Sequence, residues 1–183
     1  APVMESFSID EVFLDMTGTS LIYPDPIQTA HEIKDKIKNE LGFTVNVGIS
    51  TNKLLAKMAS DFEKPDKVHT LFPEEIQVKM WPLPIGELYM AGHSSVETLK
   101  KLEIQTIGDL AQADPKLIAL HLKSHGKMLW EFANGIDHSL VQSEQTEAKG
   151  IGNSTTLSED ARTLEEIQQV FDRLADSVGM RLK

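Results

Sequence analysis

The chain has 183 residues, 40% of them apolar and 25% charged, with a formal net charge of −10 and no cysteine. That balance belongs to a folded globular chain, with room for one domain with a substantial core or two small ones; it excludes intrinsic disorder, and the missing cysteines exclude disulfides and thiolate metal sites. No apolar run approaches the roughly 18–20 residues needed to cross a bilayer, no secretory signal is visible, and the acid excess implies that any DNA binding is weak and strongly salt-dependent.

Residues 3–8 and 12–17 read as two strands of a hairpin around Asp10 and Glu11. Successive strand side chains point to opposite faces, so two adjacent acids serve one site only where the backbone turns. A hairpin tip provides that turn, and two carboxylates converging there suit a hard divalent cation such as Mg²⁺. The plainer reading of Asp-Glu is a polar turn. Tyr23-Pro24-Asp25-Pro26 is a break, after which Ile27, Ala30, Ile33, Ile37 and Leu41 recur at helical spacing until Gly42. Phe43 to Ile49 alternates like a strand, Ser50-Thr51-Asn52 offers capping oxygens for a helix over about 53–62, and Lys67 to Phe72 is a further short strand. This order predicts an α+β fold, a mixed sheet with helices on one face.

From Trp81-Pro82-Leu83-Pro84 the pattern changes to short helices. Ser94 and Glu97 form a capping box, Asp114-Pro115 starts another helix, and Gly108 and Gly126 punctuate an all-helical stretch ending near Gly135. Trp81 and Trp130 are packing residues in this reading. Ser143 to Lys149 reads as a linker and Ile151 to Leu157 as a strand. Thr163 and Glu166 cap a last amphipathic helix with Leu164, Ile167, Val170, Phe171, Leu174 and Val178 inward. Ala1-Pro2 at the start, and Lys183 within a helical pattern that has no stop signal, lead to the expectation of a piece cut from a longer protein.

The hairpin sequence Ser8-Ile9-Asp10-Glu11, followed about forty residues on by Val47-Gly48-Ile49-Ser50-Thr51-Asn52-Lys53-Leu54-Leu55-Ala56-Lys57-Met58-Ala59-Ser60-Asp61-Phe62-Glu63-Lys64-Pro65, resembles the palm of the Y-family translesion DNA polymerases, closest to the bacterial DinB/UmuC type. The resemblance implies that residues 1–80 are the C-terminal half of the palm, 81–142 a helix-hairpin-helix thumb, and 143–183 a linker and the start of an α+β little finger. It also implies a cytoplasmic, template-directed DNA polymerase of lesion bypass, repair and the SOS response. Its partners would be primer-template DNA, deoxynucleoside triphosphates and a sliding clamp bound through a region beyond Lys183. By the same resemblance Asp10 bridges two Mg²⁺ ions and Glu11 assists the ion that activates the primer 3′-OH. Lys64 contacts the triphosphate, while Lys53 and Lys57, four apart on one helical face, contact phosphates or the metal site. The family's other essential Asp lies well before the hairpin, and the fingers are missing with it, so the fragment alone is expected to be inactive. In the thumb the family places Gly-hydrophobic-Gly before a helix whose amides meet a DNA phosphate; here Met90-Ala91-Gly92 stands there, followed by Ser94, with Met90 replacing the first glycine. Gly150-Ile151-Gly152-Asn153 falls at the entry to the little finger, where such enzymes grip the template backbone.

Two other readings compete. A non-catalytic UmuC-like DNA-binding accessory is favoured by the acidic charge and by Met90. A haloacid-dehalogenase-type phosphatase would use Asp15, in Asp15-Met16-Thr17-Gly18-Thr19, as covalent nucleophile, with Asp109 and Asp114 as its acidic motif.

Overall fold

The computed structural model describes residues 3–143 and 150–182, and the chain falls into two compact units, Ala1–Ser143 and Glu144–Lys183. In the first unit, β1 (Val3–Ser6) pairs antiparallel with β2 (Val12–Asp15), Glu5 opposite Phe13 and Ser6 opposite Val12. The five residues between them close when the Phe7 and Ser8 amides donate to the Glu11 carbonyl at 3.0 and 3.2 Å. Period-two alternation then divides the hairpin: Val3, Glu5, Phe13 and Asp15 are half-buried, while Met4, Ser6, Val12 and Leu14 form an exposed face.

Helix α1 (Pro26–Leu41) has both of its sequence signals in place. The Asp25 carboxylate accepts the Ile27 and Gln28 amides, and Gly42 ends the helix at φ 75°. Strand β3 (Val47–Ile49) runs parallel to β4 (Val68–Thr70), and α2 (Lys53–Asp61) is the crossover between them. Asn52 caps α2 by accepting the Leu55 amide at 2.8 Å. Gly48 permits a close strand–helix approach, since a Cβ there would stand 1.9 Å from the Ala56 carbonyl oxygen.

The α+β class holds, but the single mixed sheet does not form among the described residues. There are two two-stranded sheets, one antiparallel and one parallel, and the strand expected over 43–49 is paired only over 47–49. The hairpin is fastened to α2 through side chains, Glu5 to Lys53, and not by backbone pairing with β3.

Single turns over Pro73–Glu75, Ile76–Met80 and Ile85–Glu87 lead into α3 (His93–Lys101), α4 (Ile107–Gln112) and α5 (Pro115–Ala133). Thr106 and Asp109 form the capping box of α4, and Asp114 caps α5 with Pro115 in its first turn. Three local expectations are corrected. Helix α3 starts two residues early, with Gly92 as N-cap and no side-chain cap, so Ser94 and Glu97 do not form the box. Gly108 and Gly126 lie inside α4 and α5 and serve packing: a Cβ on Gly108 would stand 3.0 Å from Trp81, and one on Gly126 2.8 Å from the Ile118 carbonyl. Finally, α5 is broken at Lys123 (φ 55°, ψ −139°). The core is one cluster that includes Leu55 and Met58 of α2, Leu99 of α3, Leu110 of α4, and Ile118 and Leu129 of α5. Trp81 is half-buried against it and Trp130 is also half-buried, their indole N–H groups donating to the Ala133 and Ala113 carbonyls.

In the second unit, Thr163 and Glu166 cap α6 (Leu164–Arg181) reciprocally, as the sequence predicts. Two expectations fail there. Residues 151–157 are not a strand, since no partner strand pairs with them among the described residues. The apolar stripe of α6 is only half-buried at Val170, Leu174 and Val178 and exposed at Leu164, Ile167 and Phe171. Most of the linker expected over 143–149 lies outside the described residues.

Candidate catalytic and nucleotide-binding site

The hairpin tip and one face of α2 bring five of the sequence-predicted residues together. Lys53 and Lys57 lie one helical turn apart and both face the hairpin. The Lys53 ammonium donates to both Glu5 carboxylate oxygens at 2.7 and 2.8 Å, and the Lys57 ammonium to Glu11. The hairpin therefore lies along α2 on two ion pairs, one at its base and one at its tip. Lys57 also reaches Asp61 at 3.2 Å, and Asp61 holds Lys64 at 2.7 Å. Charge alternates along this line: Glu11, Lys57, Asp61, Lys64. Asp10 stands beside it at the tip, exposed, accepting a 2.7 Å hydrogen bond from the Ser8 hydroxyl.

Lys53, in the first turn of α2 with no acid beside it, opposes the helix dipole. The fold answers with acids from elsewhere. Asp137 accepts the Leu54 amide at 3.1 Å, and Glu5 neutralises Lys53. The Lys53 ammonium also lies 5.0 Å from the centroid of the Phe13 ring. Phe13, Phe7, Tyr89 and Phe132 continue as a row of aromatic contacts 5.4 to 6.3 Å apart. A cavity of about 170 Å³ opens between these rings, Lys53, Lys57 and Asp137.

The ionisation of the cluster follows its pairing. The Lys53 hydrogen bond holds Glu5 below the ordinary carboxylate range, against burial, with help from the Gln142 amide. Burial pushes Asp61 up, but hydrogen bonds from Lys64 and Lys57 outweigh it and keep the carboxyl low. Burial likewise works against the Lys57 charge, and its bonds to Glu11 and Asp61 raise its pKa nonetheless.

Glu5 and Asp137 were not singled out from the sequence. Glu5 carried a faint signal, as a charged residue on the inward face of β1 opposite Phe13; Asp137 carried none, because its target lies 83 residues away.

Gly92 and Ser94 stand apart from this cluster, at the start of α3. Met90 adopts φ 68°, the left-handed conformation that glycine takes most readily, and the Ala91 amide donates to Leu88 at 2.9 Å. No side chain caps the first amides of α3, and a Cβ at Gly92 would meet nothing within 4 Å. The remaining acids have local duties. Asp15 accepts the Thr17 amide at 2.8 Å, Asp109 the Gln105 and Thr106 amides, and Asp114 the Lys116 amide. His121 and His125 have the four-residue spacing of a helical metal pair, but the break at Lys123 falls between them. Among the described residues no three His, Asp or Glu side chains converge as a metal site.

Residues 1–61 match the impB/mucB/samB family and residues 148–183 that family's C-terminal domain, together more than half of the chain. The chain belongs to the impB/mucB/samB family. It is 51% identical over 182 residues to DNA polymerase IV of Clostridium acetobutylicum, covering 100% of this chain and 46% of that protein. It is 42% identical to DNA polymerase IV 1 of Bacillus subtilis, covering 99% of this chain and 44% of that one. The chain thus spans less than half the length of these relatives. Among solved structures, a Y-family DNA polymerase chimera aligns with a TM-score of 0.80 and 28% identity, over 97% of this chain and 52% of that chain. DinB from Sulfolobus solfataricus aligns with a TM-score of 0.69 and 28% identity, over 78% and 42%. This is a segment of a Y-family protein. In that frame Asp10, Glu11, Lys53, Lys57 and Asp61 lie inside the impB/mucB/samB match, whereas Lys64, Gly92 and Ser94 follow it and are covered by the polymerase IV alignments. Family membership also leaves the phosphatase reading of Asp15 without support.

Proposed function

We propose that the protein containing this chain is a template-directed DNA polymerase of the lesion-bypass type, and that Asp10 and Glu11 are its metal-binding carboxylates. The observation that carries this reading is the tip itself, where two adjacent acids project from a tight loop beside a line of lysines. The donor chemistry fits a hard dication such as Mg²⁺: oxygen ligands only, with Asp10 exposed and engaged only by Ser8 among the described residues. Two such ions, when bound, neutralise the triphosphate and lower the pKa of the attacking hydroxyl. Asp10 and Glu11 supply part of that ligand set. To do so Glu11 would exchange its bond with Lys57 for the ion, and Lys57 would keep Asp61 as its partner.

Lys64 is the proposed triphosphate contact, because its side chain is 58% exposed whereas those of Lys53 and Lys57 are each 16% exposed. Gly92 and Ser94 offer the open first turn of α3 to a DNA phosphate, and Met90 preserves the turn that precedes it. The substrates would be primer-template DNA and deoxynucleoside triphosphates, with a sliding clamp as partner of the longer protein. No helix among the described residues is long and apolar enough to cross a membrane, which suits the proposed cytoplasmic setting.

The second reading, a non-catalytic accessory that binds DNA, draws on the net charge of −10. Primer extension by the full-length protein with Mg²⁺, beside Glu11→Ala, separates them. Extension lost in the variant supports the polymerase. A folded protein that binds primer-template without extending it favours the accessory.

A further inference from the structure

We infer that Glu5 and Lys53 form a positioning pair that keeps the metal-ligand hairpin in place along α2 while Glu11 changes partner. The inference rests on the polymerase reading for its function and on geometry for its content. Of the two ion pairs between hairpin and helix, the one at the tip uses Glu11, which is needed elsewhere. A carboxylate that ligates a dication shares its lone pairs with the ion, so the hold of Lys57 on Glu11 weakens whenever the site fills. The pair at the base is under no such demand.

Glu5 is also the better anchored carboxylate. Both of its oxygens accept from Lys53, and one accepts the Gln142 amide at 2.8 Å, so it ties β1 to α2 and to the segment after α5. Lys53 is committed in turn. Two of its three donors go to Glu5, its ammonium lies against the Phe13 ring, and its side chain is 16% exposed. An ammonium held in that way has little to offer a phosphate. Lys53 therefore belongs to the support of the site and not to the DNA surface that the sequence suggested for it.

The test uses the full-length protein with Mn²⁺ as the probe, free ion being followed by electron paramagnetic resonance, together with amide exchange at Phe7 and Ser8. Neither readout needs DNA, nucleotide or turnover. Glu5→Gln and Lys53→Gln are expected to weaken Mn²⁺ binding about tenfold, although neither residue ligates the ion, as partners behind metal ligands generally do. Exchange at Phe7 and Ser8 should speed up about tenfold in both variants while α5 amides keep their protection, the pattern of local opening and not of global unfolding. Lys53→Arg, which keeps the charge and two parallel donors, should restore both readouts to within about threefold. Glu11→Gln should lose Mn²⁺ binding with tip exchange little changed. Mn²⁺ affinity and tip exchange within twofold of wild type in Glu5→Gln would overturn the inference. So would acceleration spread equally over α5, which means general destabilisation, or a Lys53→Gln protein that loses only duplex DNA affinity. A wild-type protein that extends no primer yet shows the expected Mn²⁺ and exchange effects would sink the polymerase reading and leave the positioning pair standing.

Discussion

Replacing Gly48 by alanine tests the packing that sets α2 beside the hairpin. The added Cβ would lie 1.9 Å from the Ala56 carbonyl oxygen and 2.6 Å from the Ser60 amide nitrogen, both backbone atoms of α2. Ordinary non-bonded contacts begin near 3.5 Å, so the helix must retreat by roughly 1.5 Å or β3 must pull away from β4. No flexible side chain is there to give way, so the upper end of the usual overpacking penalty applies, about 3 kcal/mol. At roughly 2–4 °C per kcal/mol for a unit of this size, Tm should fall by about 6–12 °C. Because α2 carries Lys53 and Lys57, its retreat also lengthens both ion pairs to the hairpin, and Mn²⁺ affinity should drop with Tm. Calorimetric melting and a Mn²⁺ titration of the variant check both effects. A midpoint within 2 °C of wild type would refute the tight β3–α2 contact and the argument built on it.

Lys123→Gly and Met90→Gly should both raise stability, because each residue occupies a positive-φ conformation that favours glycine. The gain at Met90 is about 0.5–1 kcal/mol net of the added unfolded-state entropy, and larger at Lys123, whose ψ of −139° is harder for a side chain to adopt; urea midpoints in the reverse order would contradict this. Leu55→Ala, at a fully buried site in the core, should cost about 2–5 kcal/mol by the same assay, and a loss under 1 kcal/mol would mean the core is loosely packed there. Glu5 and Asp61 are held below their ordinary values of 4.5 and 3.8, so the unfolded chain takes up protons first as pH falls. Their stabilising contribution is complete above about pH 4.5 and is lost as pH drops through the folded-state values. Urea midpoints from pH 6 to pH 3 should therefore decline on the acid side, more gently in Glu5→Gln than in wild type; equal slopes would show that the Lys53 bond does not lower Glu5.

What the sequence made legible was local. Asp25, Pro26 and Gly42 bound α1, Asp114-Pro115 opens α5, and Thr163 with Glu166 caps α6, because each signal acts within about four residues. The hairpin tip was legible for the same reason. Pairing between distant segments was not: a seven-residue alternation at 43–49 says nothing of where a partner strand will lie, and only Val47–Ile49 found one. Glycines misled in one direction. Gly108 and Gly126 looked like stops, yet they are places where a helix comes too close to Trp81, or to Ile118 on the far side of the break at Lys123, for any side chain. Met90 could not be judged from local pattern: it replaces the expected glycine, yet the backbone keeps the left-handed conformation, so the substitution changes its cost, not its shape.

The same limit explains the lysines. From the sequence, Lys53 and Lys57 form a basic stripe on one helical face, and Lys64 follows it as the expected triphosphate contact. In the structure their carboxylate partners divide them, and none of those pairings except the neighbour contacts of Asp61 could be seen from local spacing. Lys53 is spent on Glu5, 48 residues away, and Lys57 on Glu11, 46 away, both with side chains mostly out of solvent. Lys64 alone combines high exposure with a partner, Asp61, that already has a second cation to turn to. Under the proposed triphosphate role, Lys64 would turn to the anion and leave Asp61 paired with Lys57, whereas Lys53 has no such substitute for Glu5.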